Sequence, residues 1–561
     1  MKSLKINDEM YGAAFILVYL VLSAIWCANF FPLLRPNTSV MLDGDPALNA
    51  WALKWVSRAL THDWINLFNG NTFYPHPNSI ALSEHMAGLA IFNVPVQWFT
   101  DNPWVGYNLL IFSAYFFSAI GGYLFILYLT KNKIVAFWAG IFWAFGFFRI
   151  HHIGHLQILS YQWFPFVALF LLKTIEDPSI KNTLLLSVFF IFQALTSWYL
   201  AVIVSVLIMI LFIANMTRTN WNKKHALAFG SAAILIGSAI MPFVSAYNKV
   251  IKESTLTDRM ASINGIGDQV KLADYLTPPI ATFLGSYIPN NKYWIWQENT
   301  LFIGYTACIL AMAGVLYAYR KNKHMFFAAI ALLLIGFVFA LGYVSPALNV
   351  KLPLYYLANI FPFMAAIRAT QRYSLLIYFG VLILSGYGLA GLINHLSKRN
   401  AILLTLAVST SYLIETYPYN LGFGEIAQYA PSALDREIAK IKLETSEQLT
   451  IVHYPIYTAM PGYPTQESVY MLDSTLHWAN IMNGFSGAEP KGFHDDMQIL
   501  NRLPNIESLN LLQRNNVNVL AIHKTVPEQR RKEIKQFFEE TKLGDVTHVG
   551  TDEYLVRLSR P

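Results

Sequence analysis

Cysteine is nearly absent from this 561-residue chain. The only two, Cys27 and Cys308, each sit alone inside an apolar run, so neither a disulfide framework nor a thiolate zinc site is expected. Charge is scarce as well: Asp, Glu, Lys and Arg make up 13% of the residues, against 55% for the apolar types. At a mean hydropathy of +0.40, a soluble globule of this size would expose more apolar surface than it could bury, which excludes a purely water-soluble fold. Glycine-rich phosphate loops, internal repeats and low-complexity tracts are also missing, and their absence argues against an ATP-driven pump or a nucleotide-dependent site. The net charge of +7 does not point to nucleic acid, because the basic residues fall in short clusters between apolar runs.

What the sequence does have is long apolar runs. The stretch from Tyr11 to about Leu34 is too long for a signal-peptide core and ends without a small-residue cleavage site, so it reads as a retained first span. Further runs of roughly 17 to 25 residues begin near Val105, Ile134, Ile158, Leu184, Leu200, Ala226, Leu301, Met325, Ser374 and Ala401, the length that a hydrocarbon core of about 30 Å requires. The expected fold is therefore a polytopic α-helical membrane protein with about 11 transmembrane helices. Basic residues collect in alternate short connections: Lys131 and Lys133, Lys173 and Lys181, Arg218 with Lys223 and Lys224, Arg320 with Lys321 and Lys323, Lys398 and Arg399. By the positive-inside rule these turns and the N-terminus are cytoplasmic, and the long connections 35–104, 248–299 and 342–372 lie outside. From Thr416 onward no run could span, and strand-like segments such as Leu449 to Tyr454 and Val517 to Ile522 alternate with helix-like Glu528 to Glu540. The division expected is a membrane module over 1–415 and a soluble α/β domain over 416–561, periplasmic or extracellular on a bacterial inner (cytoplasmic) membrane.

The outer loops hold the chemistry. Asp43-Gly44-Asp45-Pro46 precedes Trp51 and Trp55 on a short amphipathic segment, so Asp45 is expected as a capping residue at a helix N-terminus close to the interface. A carboxylate held there is placed to deprotonate an acceptor, though a lone Asp-Pro is also an ordinary cap. His76, Glu84 and His85 follow in the same loop, either lining a site or lying on its surface. The turn after the third span packs Arg149, His151, His152, His155 and Gln157 into a few residues. His151 and His155 share a face if the turn is helical, which suits a divalent metal, hydrogen bonds to phosphate or sugar hydroxyls, or packing. Glu298 stands just before a span, and Arg368 and Arg372 share a face at the entry to the tenth; two guanidinium groups there either snorkel or grip a phosphate. In the tail, His477-Trp478-Ala479-Asn480 and the turn from Asn483 to Gly487 are candidate acceptor contacts, equally natural in any small domain.

A long first outer loop with an acidic residue just past span one, an interfacial helix after it, about eleven spans and an outer tail domain together resemble the GT-C superfamily of membrane glycosyltransferases. The resemblance extends to the bacterial RgtA/B/C/D-like and mannosyltransferase-like group, on the stretches Phe73 to Leu89, His151 to Gln157 and Arg368 to Tyr373. It implies a GT-C-like module that transfers a sugar from a polyprenyl-phosphate donor to a lipid, protein or polysaccharide acceptor, with membrane lipids as its surroundings. It also implies Asp45 as catalytic base with Asp43 as its understudy. Arg149, His151, His155, Gln157, Glu84, His85, Glu298, Arg368 and Arg372 would then contact the substrate or its phosphate. A divalent ion, Mg or Mn, is left open; if present it would be held by Asp45, His151 and His155. The sequence departs from the oligosaccharyltransferases of this superfamily, with histidines in place of a second acidic pair and no Trp-Trp-Asp in the tail, which argues against en bloc transfer to Asn. The alternatives are a transporter or flippase, or a polymerase or ligase, of lipid-linked glycans.

Overall fold

The computed structural model describes residues 2–28, 38–39, 43–255, 270–293, 298–345, 348, 350–361, 364, 367–419, 427–445, 447–459, 464–550 and 552–559. Two compact units emerge, one of Met1–Leu34, Leu109–Met241 and Met260–Gly424, the other of Arg35–Asn108, Pro242–Arg259 and Glu425–Pro561. The first outer loop thus folds with the tail.

A helix overlaps each of the eleven apolar runs: Lys2–Ala28, Pro103–Thr130, Lys133–Phe145, Phe164–Glu176, Ile180–Thr196, Trp198–Asn215, Lys223–Glu253, Tyr305–Lys321, Lys323–Ala340, Ser374–Ile393 and Lys398–Thr416. Among the described residues six helical segments are long and apolar enough to cross a bilayer: Pro103–Thr130, Lys133–His151, Trp198–Arg218, Lys223–Glu253, Lys323–Ala340 and Thr370–Ile393. By that measure the count stops short of eleven, because helices such as Phe164–Glu176, at 13 residues, fall below the roughly 20 that a bilayer core requires.

Within the first unit, the apolar window of Lys133–His151 is 94% buried, so this segment is central to the helical packing. Tyr305–Lys321 and Ser374–Ile393 pack backbone to backbone. A Cβ on Gly314 would lie 1.9 Å from the Leu384 carbonyl, and one on Gly388 equally close to that of Leu310. Small residues at such a crossing allow the close approach that membrane helices use for packing. The consequence is a fixed relation between Glu298, just before one helix, and Arg372, at the start of the other.

The tail of the second unit is a five-stranded mixed sheet: β1 (Thr450–Tyr454), β2 (Asn480–Ile481), β3 (Val519–Ile522), β4 (Gly544–Val549) and β5 (Glu553–Leu558), in the order β2-β1-β3-β5-β4. β1 pairs in parallel with β2 and β3, while β5 runs antiparallel to β3 and β4. Every residue of β1 and β3 is buried, as expected of strands covered on both faces, whereas β4 at the edge is mostly open. The tail is therefore α/β, with the amphipathic helices Phe493–Leu500, Ile506–Arg514 and Glu528–Thr541 each supplying an apolar stripe.

Candidate functional site

In the first unit a cavity of about 880 Å³ is lined by His155, Tyr199, Lys271, Asp274, Glu298, Arg368 and Arg372 among others. Its floor is an ion pair: Arg372 Nη2 donates to Glu298 Oε1 at 2.6 Å and Nε to Oε2 at 3.4 Å, with the guanidinium 4.7 Å from the Tyr199 ring centroid. Burial alone would raise the Glu298 carboxyl, but the Arg372 charge overrides it and holds the group well below the usual carboxylate range. Arg368 is exposed and lies in irregular chain before the Thr370–Tyr373 turn, so it does not share a helical face with Arg372; the cavity nevertheless receives both.

The histidine turn is formed by a break. The Lys133–Phe145 helix stops at Gly146, restarts over Phe147–His151 and ends there, so His151 and His155 are not on one helical face. His152 takes the inner position instead. It is fully buried, its Nδ1 donates to the Phe148 carbonyl at 2.9 Å, and its Nε2 lies 3.4 Å from Glu298 Oε2. With the proton on Nδ1, the lone pair on Nε2 points at a carboxylate, and burial keeps the ring neutral. His151, His152 and Glu298 bring three ligand atoms within 4.8 Å of one another. An Nδ1–H tied to a backbone carbonyl with Nε2 left bare is how a metal-binding imidazole is held, so the set fits a cation. It shares only His151 with the expected set.

Arg149 is a different kind of residue from the one expected. It is fully buried, donates to the carbonyls of Ala144 (3.2 Å) and Leu159 and to Ser118 Oγ (2.6 Å), and packs on the rings of Tyr161 and Tyr115. It stitches the turn closed, and Gln157 is buried in the same turn. Lys271, Asp274 and Tyr293 were not singled out in the sequence. Asp274 accepts from the Lys271 backbone N–H at 2.7 Å and from Tyr293 Oη at 2.7 Å. The available signal was an acidic residue at the third position of a short helix, reaching back to the N–H of the N-cap residue before it.

Four of the longer helices whose ends meet this cavity lead to a basic turn at the other end. Lys133–His151 starts at Lys133, Trp198–Arg218 runs from Tyr199 to Arg218, Tyr305–Lys321 follows Glu298 and ends at Lys321, and Thr370–Ile393 runs from Arg372 toward Lys398. At 1.5 Å per residue the two ends are about 25 Å or more apart.

In the second unit Asp45 is the first residue of the Asp45–His62 helix, and the cap is Gly44, at φ +68°, not Asp45 as expected. Asp43 Oδ2 accepts from Gln466 Nε2 at 2.5 Å. Glu84 is half-buried and His76 likewise. His85 is buried in a cage of Phe68, Phe243 and Tyr247, its Nδ1 accepts the Ala87 N–H at 3.0 Å, and burial pushes its pKa down to about 3, so it organises the start of the Ala87–Gln97 helix.

The tail holds a second cluster, Asp435, His453 and His477. Here a metal does not fit. His477 Nδ1 accepts the Ala479 N–H at 3.0 Å, so its proton is on Nε2 and is donated to Asp435 Oδ1 at 3.1 Å. His453 Nδ1 lies 3.0 Å from His523 Nε2, and Tyr470 stacks on both rings. Burial pushes His453 down to about 4 and His523 to about 3. The unfolded chain therefore takes up protons first as pH falls below about 6.5, and each ring removes stability as the solution becomes acid, at ~1.4 kcal/mol per pH unit. Buried Glu467, raised to about 7, acts in the opposite sense, so the test is a difference. Between pH 6 and 4, His523→Gln should lose stability less steeply than wild type by about 1 kcal/mol per pH unit, read by pulse proteolysis of the full-length protein.

No family model and no curated protein sequence matches the chain. Among solved structures it is similar to the arabinofuranosyltransferase AftD from Mycobacteria, at 12% identity over 98% of this chain and 40% of that one, with a TM-score of 0.55. It is also similar to the Archaeoglobus fulgidus oligosaccharyltransferase in the apo form, at 11% identity over 90% of this chain and 69% of that one, with a TM-score of 0.50. The chain has the GT-C fold. It is an integral membrane protein on that fold, spanning about 40% of the length of the arabinofuranosyltransferase it matches.

Proposed function

We propose that this GT-C protein is a glycosyltransferase that moves a sugar from a polyprenyl-phosphate-linked donor to a lipid, protein or polysaccharide acceptor on the non-cytoplasmic side of a bacterial inner membrane. The observation that carries the reading is the cavity with Arg368, Arg372 and Lys271 on its wall, a cationic recess of about 880 Å³, roomy enough for a sugar phosphate. Its place at the helix ends opposite the Lys/Arg turns supports the non-cytoplasmic face, and with it a cytoplasmic N-terminus. A glycosyl phosphate is already activated, so the protein has to orient the acceptor, take its proton and neutralise the departing phosphate. We assign the proton to Asp45 and the phosphate to Arg368 and Arg372, with His155 and Lys271 hydrogen-bonding the sugar or phosphate oxygens.

The reading includes a divalent cation held by His151, His152 and Glu298. Two imidazoles with one carboxylate favour Mn or Zn over Mg. When bound, such an ion would add positive charge against the phosphate. Mn²⁺ titrated into the purified full-length protein should give a bound-ion EPR signal with one ion per chain, weakened at least about tenfold in His152→Ala. An unchanged isotherm in that variant removes the ion from this cluster.

The functional test is transfer of radiolabelled sugar from a panel of synthetic polyprenyl-phosphate sugars to endogenous membrane acceptors. Incorporation from at least one donor that is lost in an Arg368→Ala, Arg372→Ala double variant supports the assignment. No incorporation from any donor, with lipid-glycan binding that survives Asp45→Asn, points to a transporter instead.

A further inference from the structure

The second unit joins the first outer loop to the tail sheet through hydrogen bonds that converge on the start of the Asp45 helix. Gly44 N–H donates to Ser468 Oγ at 2.7 Å and faces the Thr465 carbonyl at 3.3 Å. Asp43 Oδ2 accepts from Gln466 Nε2 at 2.5 Å and from Thr465 Oγ1 at 3.4 Å. Both neighbours on the N-terminal side of Asp45 are thus held by a single stretch of the tail, residues 465–468.

That stretch is itself anchored deep in the tail. Glu467 is fully buried; its Oε1 accepts the Thr458 N–H at 3.1 Å and its Oε2 accepts from Asn483 Nδ2 at 2.9 Å. Asn483 exchanges two hydrogen bonds with the backbone of His453, at 2.7 and 3.0 Å, in the middle of β1. The chain of contacts therefore runs from a central strand through Asn483 and Glu467 to the residues that grip Gly44 and Asp43.

A second grip lies two to four turns along the helix. Asn71 Oδ1 accepts from Trp51 Nε1 at 3.0 Å, while Asn71 Nδ2 donates to Ser474 Oγ and the Ala479 carbonyl, both at 2.9 Å. Trp478 meets Trp55 edge to face at 5.7 Å, and the Arg58 guanidinium lies 5.0 Å from its ring centroid. Trp478 holds φ at +56°, a conformation that a bulky residue keeps only where its surroundings over-determine it. Folding stability alone asks for no strained tryptophan against a helix from the far end of the chain. Fixing the direction of that helix does.

We infer that the tail domain is a positioning element for Asp45, with Gln466 and Ser468 as its positioning residues; this rests on the assignment of Asp45 as the base. A base displaced by about 1 Å costs on the order of 10²-fold in rate, and the Gly44 cap, at φ +68°, brings no side-chain cap of its own to the helix start.

The test uses the full-length protein in nanodiscs and a donor active in the transfer assay. In Gln466→Ala, Ser468→Ala the expected result is a fall in kcat of about 10- to 100-fold at unchanged donor KM, faster hydrogen exchange at the Gly44 amide, and rescue of kcat by Ser468→Thr with Gln466 intact. Wild-type kcat in the double variant, with Asp45→Asn inactive, overturns the inference and leaves the base assignment standing. A loss that tracks the folded fraction in pulse proteolysis, with exchange at Gly44 unchanged, overturns it too, since the contacts would then be structural only. Full activity in Asp45→Asn removes the base assignment and the inference together.

Discussion

Asp45→Asn is expected to lower the transfer rate by about 10²- to 10⁴-fold, the contribution of a placed general base, while leaving the protein folded and the donor bound. Asn is nearly isosteric with Asp, and neither the Gly44 cap nor Pro46 in the first turn depends on the carboxylate. Losing one negative charge at the positive end of a helix costs about 0.3–1 kcal/mol. Asp43→Asn is the informative neighbour. The contacts of Asp43 Oδ2 with Gln466 and Thr465 mark it as part of the clamp, so its replacement should cost less than Asp45→Asn, and the loss should appear together with faster exchange at Gly44. Single-turnover transfer with saturating donor, measured beside thermal unfolding, separates the two. Equal losses in both variants would argue that neither carboxylate takes the proton itself.

Much of the fold was written in hydropathy, and the physical reason is the solvent. A bilayer demands long apolar helices whatever their neighbours, so every run from Val105 to Ala401 marks a helix that the structure contains. The alternation of strand and helix text in the tail was legible in the same way, from segments such as Val517 to Ile522, whose core became β3. What periodicity does not carry is distance along the chain. Nothing local in Asp43-Gly44-Asp45 announces Gln466 or Ser468, more than four hundred residues away, and the partition of the first loop with the tail therefore came only from the structure.

The site was legible where charge alone decides. Glu298 and Arg372 were readable as ionisable groups at span entries, where an unpaired charge is costly, and the structure pairs them. It was less legible where a side chain has two equally good uses. Arg149 reads as a cation at a turn, yet a guanidinium satisfies backbone carbonyls as readily as a phosphate, and here the turn consumes it. His155 was preferred to His152 because a four-residue spacing puts two side chains on one helical face; Gly146 breaks that helix, which then ends at His151, and the inner position passes to His152.

Arg372→Ala should destabilise the first unit by about 2–3 kcal/mol and abolish donor binding, and the two effects should separate in a second variant. The stability estimate starts from the penalty for leaving one member of a buried pair alone and is discounted because the Glu298 side chain is 30% exposed. Without Arg372, burial would raise the Glu298 carboxyl, and His152 gives no relief, since its Nε2 presents a lone pair. The sign of the pH dependence follows. In wild type the folded Glu298 is depressed below its unfolded value, so the pair contributes its stability above about pH 4.5 and loses it as pH falls through the folded pKa. The gap between wild type and Arg372→Ala should therefore narrow in acid. Adding Glu298→Gln to Arg372→Ala removes the stranded charge and should restore most of the stability at pH 7, an interaction energy visible in a double-mutant cycle. Donor binding should stay lost, because a neutral amide and a methyl group supply neither the positive charge nor the bidentate fork of the guanidinium. Recovery of binding along with stability would mean that Arg372 serves the packing of Tyr305–Lys321 against Ser374–Ile393 and that the phosphate is held by Arg368 and Lys271 alone.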